Sequence, residues 1–137
     1  MDPGFFVAHR AAGTVYQLKG QYEEALVEFR RVMELSGDPG YLGDIAYLYA
    51  KWGKRDEALK TLEQMKQVAG TGRSVSPYSF AIAYAGLGDK GKALDYLEHC
   101  YEIRNADFQY VGLDRFFDDL HSDPRFVDLL RRTGIPQ

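Results

Sequence analysis

The chain has 137 residues, 45% of them hydrophobic, and a formal net charge of −3. That length suits one domain with its own core, and no apolar run approaches the roughly 18 residues that a membrane helix needs. The acidic balance argues against a broad nucleic-acid surface, which would want a basic excess, and the single cysteine excludes an internal disulfide and suits a reducing, cytoplasmic compartment.

Helical stretches are expected at 3–18, 22–36, 39–52, 55–69, 77–87 and 90–104. Four prolines mark helix starts: Asp2-Pro3, Asp38-Pro39, Ser76-Pro77 and Asp123-Pro124. In each pair the Asp or Ser side chain can accept a free amide hydrogen bond, and proline at the first helical position sacrifices none. Pro136 falls past the last helix. Met1-Asp2-Pro3-Gly4 lacks the basic-then-apolar pattern of a secretory signal. After residue 106, Leu113, Phe116, Phe117 and Leu120 recur at helical spacing. Ser122-Asp123-Pro124-Arg125-Phe126 then opens a last helix carrying Val127, Leu129 and Leu130. These tail helices are expected to cap the last apolar face of the array.

The six helical stretches fall into three copies of one pattern. Tyr16, Gly20, Ala25 and Phe29 match Tyr49, Gly53, Ala58 and Leu62, and then Tyr84, Gly88, Ala93 and Leu97. The aligned alanines lie 33 and 35 residues apart. A small residue there lets two helices approach closely, and the apolar residue four positions on shares its face. The glycine ends the first helix of each pair, where a left-handed residue is needed.

The copies resemble the tetratricopeptide repeat, a helix–turn–helix unit of about 34 residues. Further signature positions hold Ala12 and Gly13, Ile45 and Ala46, and Phe80 and Ala81. Val32, Met65 and Cys100 stand at another. The usual large aromatic at the fourth position is replaced by His9, Leu42 and Pro77. The resemblance implies an all-α, right-handed superhelix with repeats at about 5–37, 38–71 and 74–106 and a cap over 107–137, forming one domain across 1–137. The tail, with Asp123-Pro124-Arg125-Phe126, Leu129-Leu130-Arg131-Arg132 and Gly134-Ile135-Pro136, looks like the end of repeat regions in some large bacterial regulators.

Several apparent motifs carry no chemistry. Gly86-Leu87-Gly88-Asp89-Lys90-Gly91-Lys92 fits two phosphate-loop patterns, but no strand precedes it and Ala93 stands where magnesium would want Ser or Thr. His9, His99 and His121 have no partner at i, i+4, and zinc wants about four convergent ligands. Cys100 lies on the apolar stripe with Ala93 and Leu97 and reads as a buried thiol. Neighbours on a helix diverge, so His99 and Cys100 cannot form a catalytic pair. Asp118 and Asp119 read as a solvated face. No nucleophile, base and orienting group converge, so neither an enzyme nor a bound metal or cofactor is expected.

What remains is the concave face, lined in such repeats by the first helix of each pair. The resemblance places Val7, Arg10, Thr14, Gln17 and Leu18 there from the first copy. The second gives Gly40, Gly43, Tyr47, Ala50 and Lys51, and the third Val75, Tyr78, Ile82, Ala85 and Gly86. Tyr47 and Tyr78 offer rigid contact area with a polar tip, unless they pack on neighbouring helices instead. Gly43, Ala50, Ala85 and Gly86 would leave room for a bound backbone. A carboxylate clamp is not expected, because Arg10 and Thr14 stand where it would have lysine and asparagine. The expected function is a scaffold gripping a peptide or protein surface through Arg10, Thr14, Gln17, Tyr47, Lys51, Tyr78 and Ile82. The alternative is a regulatory or self-associating module docking through an apolar N-terminal edge at Phe5 and Phe6, as a homo-oligomer or on another domain.

Overall fold

The computed structural model describes residues 3–134, with side chains from Val7 onward. Asp2, Pro136 and the side chains of Phe5 and Phe6 lie outside the described residues. The described residues form seven α-helices and two short 3-10 helices, with no strand among them. The α-helices are α1 (Pro3–Leu18), α2 (Tyr22–Ser36), α3 (Tyr41–Lys51), α4 (Arg55–Gly70), α5 (Pro77–Gly86), α6 (Lys90–Glu102) and α7 (Pro124–Thr133). The 3-10 helices span Ala106–Tyr110 and Arg115–Leu120. The architecture is an all-α helical repeat.

Three antiparallel pairs, α1–α2, α3–α4 and α5–α6, are closed by the same turn. Gly20, Gly53 and Gly88 take φ of 76°, 81° and 80°. The amide after each glycine bonds back to the carbonyl of the repeat tyrosine: Gln21 to Tyr16 at 2.8 Å, Lys54 to Tyr49 at 2.9 Å and Asp89 to Tyr84 at 3.0 Å. This left-handed cap satisfies carbonyls that the helix end would otherwise orphan. Ala25, Ala58 and Ala93, just beyond the turn, are fully buried where the second helix crosses the first.

Ser76 and Asp123 cap α5 and α7 as expected, accepting the amides of Tyr78 and Arg125. Asp38-Pro39 acts differently. Asp38 Oδ1 accepts the amide of Gly40 at 2.8 Å, and bonds from Leu42 to Pro39 and from Gly43 to Gly40 tighten the chain into a turn. The helix therefore starts at Tyr41, two residues after the proline.

The joints between pairs are unequal. α3 and α5 lie against each other along their length, whereas α1 packs on α2 and makes no comparable approach to α3. Glycines permit the close joint. A Cβ on Gly86 would stand 2.8 Å from the Cα of Tyr47, and one on Gly43 would collide with the carbonyl of Ser79. These glycines are thus occupied by the neighbouring helix, not held open for a bound backbone.

The tail divides its roles. α7 lies on α6 with Phe126, Leu129 and Leu130 buried. Arg125 bonds Asp95 at 2.6 Å and Arg132 bonds Glu98 at 2.8 Å across that contact. This is the expected cap. The preceding segment is not part of it: the Arg115–Leu120 3-10 helix packs on α5, with Phe117 and Leu120 buried. Leu113, expected on the same apolar stripe, is 79% exposed. Asp114 caps the 3-10 helix by accepting the amide of Phe116, which leaves Leu113 in the turn before it.

Candidate functional site

Three side chains that the sequence assigns to the groove, Tyr47, Lys51 and Tyr78, meet the chain's own tail. Tyr78 is buried, its hydroxyl donating to Asp114 Oδ2 at 2.7 Å and its ring meeting Phe117 edge-on at 5.4 Å. Burial, and then the charge of Asp114, push its phenol well above the usual tyrosine range. Tyr47 is half-buried, with the ring of Phe116 edge-on to it at 4.8 Å. Its phenol is pushed up to about 12, by burial first and then by Asp119 and Asp118. Lys51 pairs with Asp119 at 3.4 Å and lies over the Tyr47 ring. Ile82 is buried. Asp119 is exposed, as the sequence suggested, and makes this pair at the surface.

The first copy behaves otherwise. Arg10 crosses the gap between α1 and α3, and its Nε donates to Asp44 Oδ2 at 2.9 Å. Asp44 is 2% exposed. Burial raises its carboxyl to about 6 even though Arg10 pulls the other way. The same pairing raises Arg10. The guanidinium also stands 5.6 Å from the centroid of Phe116. A half-exposed arginine is thus fixed at a joint by one buried carboxylate and one ring.

Two cavities flank this arginine. A smaller, polar one of about 250 Å³ lies toward the starts of α3 and α5, beside Asp38, Asp44, Ser79 and Tyr110. A larger, more apolar one of about 490 Å³ opens between α1 and the tail. Its α1 wall carries Val7, Arg10, Ala11, Thr14, Gln17 and Leu18; the facing wall is Leu113 to Phe116 and Asp118, with Tyr41 and Tyr47 of α3 also lining it. Val7 is 70% exposed and Leu18 59%. Thr14 uses its hydroxyl on the carbonyl of Arg10. Of the sequence-derived groove, Arg10, Thr14, Gln17 and Tyr47 therefore share one open cleft, while Lys51, Tyr78 and Ile82 do not line it.

Asp44, Asp114 and Phe116 are site residues that the sequence reading missed. Asp44 left a signal, a lone carboxylate inside the apolar run Leu42 to Ala50 that needs a partner once buried. Asp114 and Phe116 left none, because the fold-back that brings them to the groove has no local period. Among the described residues, no group of three or more His, Cys, Asp or Glu side chains could hold a metal ion, and no helix is long and apolar enough to cross a membrane. Cys100 is buried, and burial pushes its thiol up to about 12.

Compared with known proteins, the chain matches the tetratricopeptide repeat model twice, over residues 11–39 and 78–107. No curated protein and no solved structure matches it significantly. The first match covers the second half of α1, the glycine turn and α2; the second covers nearly all of α5, its turn and α6. The α3–α4 pair between them repeats the same turn and the same buried alanine. Such repeats generally mediate protein–protein interaction, and the two matches together with this geometry support assignment of the chain to the tetratricopeptide repeat family.

Proposed function

We propose that this chain acts as a single, non-catalytic domain that binds a peptide or protein surface in the cleft between α1 and the tail. The observation that carries this reading is the cleft of about 490 Å³, whose rim exposes Val7, Leu18 and Leu113 beside the rings of Tyr47 and Phe116. Apolar side chains gathered at one opening, with a few polar groups among them, are what a partner's side chain desolvates on binding. Arg10, Thr14, Gln17 and Tyr47 contact the partner. Lys51, Tyr78 and Ile82 instead hold the tail that forms the second wall. A buried cysteine and an acidic chain favour a cytoplasmic setting and a protein partner over nucleic acid.

The test is selection of linear peptides from a display library on the whole chain, followed by polarisation titrations. Enriched peptides are expected to bind the wild type and Val27→Asp, which alters exposed surface on α2, but not Leu18→Asp. Equal binding to all three, or no enrichment, overturns the reading.

A second reading keeps the role of interaction module but moves the surface. Ala8 and Val15 are exposed on α1 outside the cleft lining, which favours docking of that helix on another domain of a larger bacterial regulator. Val15→Asp would abolish such docking and leave peptide capture in the cleft intact.

A further inference from the structure

The cleft and its rim are complementary to themselves. The turn ending at Leu113 raises one apolar side chain, 79% exposed, directly beside an apolar opening of about 490 Å³. Knob and hole thus share one face. The charges follow the same rule. Arg115 and Asp118 both line the opening and both are exposed. Neither belongs to an ion pair within the described residues, although the neighbouring Asp119 is held by Lys51 and Asp114 by Tyr78. A rim of one sign would repel its own copy. A rim with one free cation and one free anion attracts it, because a two-fold contact sets each residue i against j and j against i.

We propose that the occupant of the cleft is a second copy of this chain, in a two-fold dimer. Each copy seats its Leu113 in the other's opening, against Val7, Leu18 and Tyr47, and each Arg115 pairs with the other's Asp118. The opposite end of the array supports a closed pair over a filament. There α7 turns Arg125, Asp128 and Arg132 outward, with Arg125 and Arg132 paired to Asp95 and Glu98 of α6 and Arg132 also to Asp128. Among the described residues this face of α7 is charged, which disfavours apolar head-to-tail stacking there. The proposal rests on the reading of the cleft as the binding surface and names its partner.

Sedimentation equilibrium of the whole chain, from about 1 µM to about 1 mM, tests it. The wild type is expected to pass from one chain to two over that range. Leu113→Asp, Arg115→Asp and Asp118→Arg are each expected to weaken the dimer by about tenfold or more. The double variant Arg115→Asp with Asp118→Arg restores the opposite charges and is expected to return within about threefold of wild type. All three sites are exposed, so unchanged melting temperatures are the control for folding. A monomer throughout overturns the proposal, as does a dimer indifferent to Leu113→Asp or a double variant no better than the singles. Peptide binding separates this failure from failure of the cleft itself. A monomeric wild type whose selected peptides still depend on Leu18 keeps the cleft and discards the second copy. A monomer that selects no peptide discards both.

Discussion

Arg10 and Asp44 form a polar link between α1 and α3, with Nε donating to Oδ2 at 2.9 Å across the gap. The two ends differ in environment: the Arg10 side chain is 40% exposed and that of Asp44 only 3%. Arg10→Ala therefore strands a buried carboxylate. Removing one partner of a buried pair costs roughly 3–5 kcal/mol. Protonation of Asp44 relieves part of this, so a loss of about 2–3 kcal/mol at neutral pH is expected in urea unfolding, shrinking below pH 6. A loss independent of pH would contradict the buried-pair account.

The same carboxylate sets a pH dependence of definite sign. Burial lifts Asp44 from 3.8 to about 6, with Asp114 and Asp38 adding to the rise and Arg10 opposing it. Between those values the folded chain keeps a proton that the unfolded chain has lost. The contribution of Asp44 to stability is thus whole below about pH 4 and is lost as pH rises through about 6. Asp44→Asn lacks this component. Melting temperatures of the two proteins, compared across pH 4 to 7, should show the wild type falling relative to the variant and then running parallel above about 6.5. A constant offset over the whole range would be the contrary result.

Tyr78→Phe removes the hydroxyl that holds Asp114, and with it the anchor of the tail in the groove. A hydrogen bond to a charged group contributes about 1.5–3 kcal/mol, and a loss of that size is expected. Tyr78→Ala should lose about 3–5 kcal/mol, as for other buried aromatics. Limited proteolysis between Val111 and Leu120 should accelerate in both. An unchanged cleavage rate would mean that the tail is held by Phe117 and Leu120 alone.

Two glycines predict opposite outcomes. Gly43→Ala drives a methyl into the carbonyl of Ser79 at the α3–α5 contact, and overpacking of that kind costs roughly 1–3 kcal/mol. Gly91 lies in the first turn of α6, and a Cβ there meets nothing nearer than 3.8 Å. Gly91→Ala should stabilise by up to about 0.5–1 kcal/mol through chain entropy. Thermal unfolding measures both shifts, and a Gly43→Ala variant as stable as wild type would be the contrary result.

The helices were legible because their signals are local. The Tyr–Gly–Ala punctuation of the three copies encodes a cap whose partners lie within five residues of each other, so sequence order is enough to read it. The start of α3 was misjudged because Asp38 can serve either as a cap or as a turn acceptor, and only the fold of Pro39 and Gly40 selects the turn. The groove was half legible. The resemblance placed Arg10, Thr14, Gln17 and Tyr47 on one face, but no local pattern reveals that Asp114 and Asp119 return across 36 and 68 residues to meet Tyr78 and Lys51. Gly43 and Gly86 look alike whether a helix or a ligand fills the space above them.

The unequal joints have a consequence for how the molecule opens. α3 to α6 share a contact with no slack along α3–α5, while α1 and α2 join them through the smaller α2–α3 packing, the hydrogen bond from Arg30 to Tyr49 and the pairing of Arg10 with Asp44. In a linear array each unit is held by its own stability and by its neighbour interfaces. The weaker interface sets off the first thirty-six residues as a separate cooperative block. Amide hydrogens buried within α1 and α2 should exchange through detachment of that block, with a smaller dependence on denaturant than those of α5, which need the whole molecule to unfold.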